Sequence, residues 1–509
     1  MKKWIFLLII TPFVAKAQNI ADYLSPAFPT SLVANHNGDA VAWVFNKQGV
    51  RNVYYGFPES NQFVALTKYT EDDGVEISAV MFNQADDKIY FVKGNTVNTK
   101  GEPANPAQLQ YSTEQFIYCI DLKTKEIKKI AKGSAPVLSP DDKMLVFSQG
   151  GKIMKLDVSK SDATPSVLFQ SRGSNGHIQF NTQGNLISFV SNREEHSFIG
   201  VFDLQSNTLR FADPSTYVDA DPVWSPDGTQ LAFVRKVFVR HNFPFVPKMN
   251  AQPWQIRMVD LTTNVAQTLF TADKGAGSVF VEDLPASTKP ILWTKDNHIV
   301  FPWEKTGWMH LYAVDVKSKK IQTLTSGTGE VESLMLAPDN NTVYFVSNIG
   351  DSNRRHVYKV DCGSSNFINL THGKGIEYAP VVLKSGIVML QATSQRPSWP
   401  VYLKGNQMNM LAGSIFPDNF PKQLSIPTTV LITAMDKQKA PAQIFLPSNY
   451  DPLKKYPAVI FLHGGSRRQM LEGFNYSSYY SNAYAVSEYF AQHGYIAMQL
   501  NYRSGIGYG

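Results

Sequence analysis

ADPVWSPDGTQLAFVR, Ala220 to Arg235, holds two short apolar strands on either side of a Ser-Pro-Asp-Gly turn. Proline presets φ, Asp caps the turn through its side chain and Gly takes the left-handed position, so the unit predicts a β-hairpin. Weaker copies read SAPVLSPDDKMLVFS from Ser134, HIQFNTQGNLISFVS from His177, SLMLAPDNNTVYFVS from Ser333 and ISAVMFNQADDKIYFV from Ile77, and degenerate ones begin near Ser31, Pro290 and Ala379. Most are followed by a third strand, such as FIGVFDL (Phe198 to Leu204) or HLYAVDV (His310 to Val316), and by a closing one such as IQTLTSG (Ile321 to Gly327). Four strands per unit, repeating every ~40 to 50 residues, is the pattern of a β-propeller blade; a helical solenoid would need 3.6-residue periodicity. The expectation is an all-β propeller of seven or eight four-stranded blades over residues 18–412. Trp224 reads as inter-blade core. Insertions fall around Asn95 to Tyr111 and Val237 to Pro253, and the second, apolar, aromatic and basic, is suited to fold over the mouth of the propeller.

Composition agrees with a large folded chain. Its 509 residues are 43% hydrophobic and 12% aromatic, enough for one large core and room for two. Formal charge is +6, of which Lys2, Lys3 and Lys16 contribute three, leaving 6 − 3 = +3 once the leader is discounted. With no Lys/Arg run, that surplus leaves no footprint for nucleic acid. The opening MKKWIFLLIITPFVAKAQ has two lysines, an apolar stretch and Ala15-Lys16-Ala17, the signature of a bacterial-type secretory signal peptide over 1–17. The apolar stretch is short of the ~20 residues a membrane span needs. The expected product is periplasmic or secreted, with no membrane span after signal cleavage. Cys119 and Cys362 make neither a disulfide framework nor a metal site, although export permits a bridge between them. No cofactor or metal is expected, and nothing sets an oligomeric state.

After residue 412 the period changes. TTVLITA and PAQIFLP flank a polar turn and read as an antiparallel hairpin, while PAVIFLHGG reads as a strand covered on both faces. SNAYAVSEYFAQHG fits a helix closed by Gly494, and YIAMQLNY fits another buried strand. Strand, glycine-bearing loop, helix and strand form a doubly wound α/β beginning over 413–509.

KKYPAVIFLHGG, with RRQM, YYSNAYAVSEYFAQHGY and NYRSGIGYG, resembles the opening of the hydrolase domain in the prolyl oligopeptidase family of serine peptidases, nearest to bacterial secreted dipeptidyl or acylaminoacyl peptidases. The propeller segments YTEDDGVEIS, REEHSFIGVFD, FPWEKTGWMHLY and NRRHVYKVD look like the same group. The resemblance implies an α/β-hydrolase domain, incomplete in these residues, and acyl-enzyme cleavage of short peptides near their N-terminus. It assigns the oxyanion loop to His463, Gly464, Gly465 and Ser466, whose backbone must lie close to substrate. Dipeptidyl members carry tyrosine where His463 stands, so a hydroxyl role is in doubt here; the plainer reading of His463 is a hydrogen bond that shapes the loop. No Gly-x-Ser-x-Gly occurs in the sequence, so the catalytic Ser, Asp and His are expected beyond Gly509 and the chain as given is expected to be inactive. Glu194 and Glu195 are candidates to hold a substrate ammonium, because paired carboxylates neutralise and hydrogen-bond it; a solvated hairpin tip is the alternative. Arg467 and Arg468 are candidates to face a peptide carboxylate or carbonyl, against a merely solvated loop. From another class, a non-catalytic periplasmic propeller binding peptide or protein partners fits the same repeats.

Overall fold

The computed structural model describes residues 18–98, 102–105, 108, 110–239, 252–275, 280, 290–465, 468–503 and 505–509. The leader expected over 1–17 and the centre of the second insertion lie outside the described residues. Among the described residues, eight four-stranded antiparallel units follow one another at 28–65, 77–132, 134–169, 174–212, 218–271, 292–323, 331–369 and 376–410. They are the blades of the expected propeller. Between units four and five, strand pairing is limited to a single parallel bridge, Ser197 to Val218.

The hairpins obey the turn chemistry of the repeat. Gly38, Gly184, Gly228, Asn297 and Asn340 hold φ between 55° and 73°, where Gly and Asn are least strained. In blades 2 and 3 the position is taken by Asp86 and Asp142 at φ 57° and 59°. Their carboxylates reach back to the preceding blade: Asp86 accepts from the His36 and Asn37 N–H groups at 2.9 and 2.7 Å, and Asp142 from those of Gln84 and Ala85 at 2.8 and 2.9 Å. In six of the eight blades the strand before the turn carries a further left-handed residue, at Ser31, Ala79, Ala135, His177, Asp221 and Ala379, beside a shift in register. These are bulges, which sharpen the twist of the strand.

Each second strand places one large side chain at the same point: Trp43, Phe91, Phe147, Phe189, Phe233, Phe301, Phe345 and Met389, all 0% exposed. Burying each contributes about 1.5–3 kcal/mol. Eight apolar clusters are each shared between neighbouring blades, the last joining blade 8 to blade 1. Ring closure is therefore by packing, with Trp399 against Phe45 at 4.6 Å, and not by a shared strand. Glu59 adds a clamp, accepting from the Tyr402 hydroxyl at 2.6 Å and Lys404 at 2.7 Å. Trp224 is an inter-blade residue as read, but half-buried, donating from Nε1 to the Gln179 carbonyl of blade 4 at 3.4 Å. Cys119 and Cys362 are buried free thiols, so they form no bridge.

A ninth, mixed sheet follows, with strands Thr428–Thr433, Lys439–Phe445, Ile496–Leu500 and Ala458–Leu462 in that spatial order, the last pair parallel. The helix Ser478–Gln492 covers one face and ends at His493, followed by Gly494 at φ 84°. This is the opening of an α/β-hydrolase sheet. One expectation fails: Ala458–Leu462 is not covered on both faces. Ile460 and Leu462 are 59% and 60% exposed, because this is the edge strand among the described residues and only the helix face is packed. The ninth cluster joins Ile376 and Ala392 of blade 8 to Phe445, Phe474 and Tyr484, and draws in Tyr23 from the N-terminal segment. The two parts therefore share an apolar interface.

Candidate functional site

His463, Gly464 and Gly465 form the turn at the end of Ala458–Leu462. Their carbonyls are committed. The Tyr502 hydroxyl donates to His463 O at 2.6 Å or Gly465 O at 2.9 Å, and the Tyr480 hydroxyl to Gly464 O at 3.1 Å. Gly464 and Gly465 are exposed, and their N–H groups make no hydrogen bond among the described residues. Gly465 has φ 65° and needs glycine for its backbone; a Cβ on Gly464 would come no closer than 3.7 Å to the Tyr480 oxygen. Carbonyls held by tyrosine hydroxyls, with amides that have no partner among the described residues, suit a loop that binds a negative oxygen.

The hydrogen bond expected of His463 is not among those described. Its ring is buried, stacked on Tyr502 at 4.2 Å, and neither nitrogen has a partner among the described residues. Burial pushes the imidazole below its usual range, with the Gly464 and Gly465 backbone pulling the other way and Arg468 adding to the depression. A neutral stacked ring is the consequence. Ser466 and Arg467 lie outside the described residues. Arg468 is exposed, and its carbonyl accepts from the Ile506 N–H at 3.3 Å.

Beyond Arg468 the chain is gripped by the propeller. Gln469 is 2% exposed; it accepts from Arg355 Nη2 at 2.6 Å and donates to Ser352 O at 2.8 Å. Arg355 is fully buried, its charge answered by Glu332. Glu472 pairs with Arg354 at 2.6 Å. The Gly507 peptide unit is clamped from blade 7, its N–H by Glu330 at 2.5 Å and its C=O by Asn348 at 2.8 Å. Arg355, Gln469, Tyr480 and Tyr502 went unassigned in the sequence. The adjacent Arg354 and Arg355 in NRRHVYKVD were a signal of something, but not of which one is buried.

Glu194 and Glu195 are exposed at the tip of the turn between Leu186–Asn192 and Ser197–Asp203 in blade 4, with Glu194 at φ 69°. The adjacent Arg193 lies over the Phe198 and Phe211 rings. Strands alternate direction within a blade, so this turn shares its end of the propeller with the turns of blades 7 and 8 that meet the mixed sheet. The two insertions emerge at that same end. No described contact joins Glu194 or Glu195 to the glycine loop.

Fold and loop together define a β-propeller joined to the opening of an α/β-hydrolase sheet. The resemblance to the prolyl oligopeptidase family read from the sequence is borne out by comparison. Residues 250–401 match the family described as the dipeptidyl peptidase IV (DPP IV) N-terminal region. A probable dipeptidyl-aminopeptidase B of Arthroderma otae is 28% identical over 174 residues, covering 32% of this chain and 19% of the relative. Dipeptidyl peptidase 4 of the same organism is 26% identical over 185 residues, 33% of this chain and 23% of the relative. The chain thus spans about a fifth of the length of the curated relatives it matches. Among solved structures, Porphyromonas gingivalis dipeptidyl peptidase 4 aligns with TM-score 0.66 at 14% identity, covering 95% of this chain and 73% of that one. A Mycobacterium tuberculosis puromycin-hydrolyzing peptidase aligns with TM-score 0.59 at 15% identity, covering 98% and 69%. These likenesses show the shared fold.

Proposed function

We propose that the chain serves a serine-type peptidase of the prolyl oligopeptidase kind, periplasmic or secreted, which cuts short peptides near their N-terminus. The observation that carries the reading is the loop 463–465, with its carbonyls held by Tyr480 and Tyr502 and the Gly464 and Gly465 amides without a partner among the described residues. In acyl transfer a nucleophile adds to the scissile carbonyl, and the oxygen gains the negative charge that such amides stabilise, worth about 3–4 kcal/mol per donor. Ser466 belongs to the same backbone on this reading, and the propeller limits entry to short peptides. Glu194 and Glu195, on the end that meets the mixed sheet, are candidates for the substrate ammonium; Arg467 and Arg468 are candidates for a peptide carbonyl or carboxylate.

These 509 residues hold no Gly-x-Ser-x-Gly, so the nucleophile, acid and base are not assigned among them and the isolated chain is proposed to be inactive. The chromosomal gene product carrying these residues is expected to react stoichiometrically with a fluorophosphonate and to release arylamine from dipeptidyl arylamides. The 509-residue chain alone should do neither. A gene product that is neither labelled nor active overturns the reading, and peptide binding by residues 18–412 without hydrolysis would favour a propeller that only binds.

A further inference from the structure

We propose that Gln469 is a positioning residue through which blade 7 sets the place of the glycine loop 463–465; this rests on reading that loop as oxyanion backbone. Gln469 stands four residues past Gly465 and directs its side-chain amide to the propeller, accepting from Arg355 at 2.6 Å and donating to the Ser352 carbonyl at 2.8 Å. Its own carbonyl accepts from Asn475 at 2.9 Å. The partner guanidinium is 0% exposed and paired with Glu332, so it has no solvent to turn to if Gln469 is lost.

The grip passes on through the backbone. Met470, next in the chain, is held at both ends by one side chain: Asn501 accepts from its N–H at 2.7 Å and donates to its C=O at 2.9 Å. Asn501 precedes Tyr502, whose hydroxyl reaches the His463 and Gly465 carbonyls and whose ring stacks on His463. The loop is therefore fixed upstream by the strand Ala458–Leu462 and downstream by the propeller. Gly507 closes the same point from a third segment, where an added Cβ would come within 2.2 Å of the Gln469 side chain. Simple packing would be served as well by leucine of similar volume. The amide matters if direction is what the propeller transmits, because a displacement of about 1 Å in catalytic groups costs on the order of 100-fold in rate.

The 509-residue chain tests this without catalysis, using Gln469→Leu, which keeps volume and removes both bonds, and Gln469→Glu, which keeps the acceptor for Arg355 and loses the donor to Ser352. Mass-spectrometric hydrogen exchange reads the peptides covering 458–470. Histidine C2 resonances, with His463 assigned by its loss in His463→Gln, report the ring environment. In Gln469→Leu, amides of the loop should exchange about tenfold faster or more and the His463 titration should rise toward its ordinary value, with exchange in blades 2 to 5 unchanged. Gln469→Glu should fall between. Leu145→Ala, a cavity in blade 3, should move neither loop readout. Unchanged loop exchange and titration in folded Gln469→Leu overturn the proposal; if that variant does not fold, the same result in Gln469→Glu does so. Both readouts are independent of turnover, so failure of the peptidase reading would show in activity and labelling while leaving them intact.

Discussion

The Glu330 carboxylate of blade 7 accepts the backbone N–H of Gly507 at 2.5 Å, tying the propeller to the segment after the last strand of the mixed sheet. Burial, and next the charge of Glu332, push Glu330 up to about 7 against the pull of Arg355 and the Gly507 amide; Glu304 adds a smaller push. Unfolded, the group titrates near 4.5. Between these values the unfolded state ionises while the folded state resists, so stability falls as pH rises from about 4.5 to 7 and stays level above. The loss is on the order of 2 kcal/mol after allowance for partial exposure. Urea unfolding at pH 5 and pH 8 should show Glu330→Gln free of this component and more stable than wild type at pH 8. Identical pH profiles would refute it.

Glu488 tests the same sign in the helix Ser478–Gln492. Its Oε2 accepts from the Ser425 N–H at 2.8 Å, while its Oε1 has no partner among the described residues. Burial pushes it up to about 8, opposed by Ser425. Glu488→Gln retains an acceptor for Ser425, so its gain over wild type should grow from pH 5 to pH 9 in denaturant titrations and be absent at pH 4.

Ring closure should depend on Trp399 more than on Glu59. Trp399 is 0% exposed, packs on Phe45 and donates to the Leu411 carbonyl at 2.7 Å. Trp399→Ala is expected to cost about 3–5 kcal/mol and to open blades 1 and 8 to limited proteolysis. Glu59→Gln, at the exposed rim, should leave the proteolytic pattern unchanged.

Arg235 lies between blades 4 and 5, paired with Asp219 at 2.7 and 2.9 Å and with Asp213 at 3.0 Å. Asp219 is 0% exposed. Removing it in Asp219→Ala strands much of a buried charge and should cost about 3 kcal/mol in chemical denaturation. A loss under about 1 kcal/mol would mean that Asp213 alone suffices.

The edge strand Ala458–Leu462 exposes Ile460 and Leu462 side by side on one face. Unpaired apolar edges promote association. Leu462→Lys should lower light scattering on concentration of the 509-residue chain, with folding stability within about 0.5 kcal/mol of wild type; unchanged scattering would exclude this edge as the cause.

Much of the propeller was legible because its turn chemistry is local. Ser225-Pro-Asp-Gly228 contains its own instructions: the Ser225 hydroxyl donates to Asp227 at 2.6 Å and accepts from the Gln230 N–H at 2.9 Å, and Gly228 supplies φ 67°. The left-handed Asp86 and Asp142 were not legible, since their value lies in N–H groups of the blade before. The bulges at Ser31 and Ala379 escaped for a like reason, being set by pairing across strands.

At the candidate site the glycines stood out because close backbone approach selects glycine wherever it occurs. The stacking of His463 on Tyr502 was not legible, since a histidine beside two glycines looks the same whether its ring bonds or stacks. By itself the sequence determined the blades, the change of period after residue 412 and the kind of loop that follows PAVIFL, all of which depend on neighbours a few residues apart. Only tertiary structure decided that Tyr480 and Tyr502 hold that loop, and that Arg355, more than 100 positions earlier, meets Gln469. A buried guanidinium takes whichever acceptor the fold delivers, and no local pattern records which one that is.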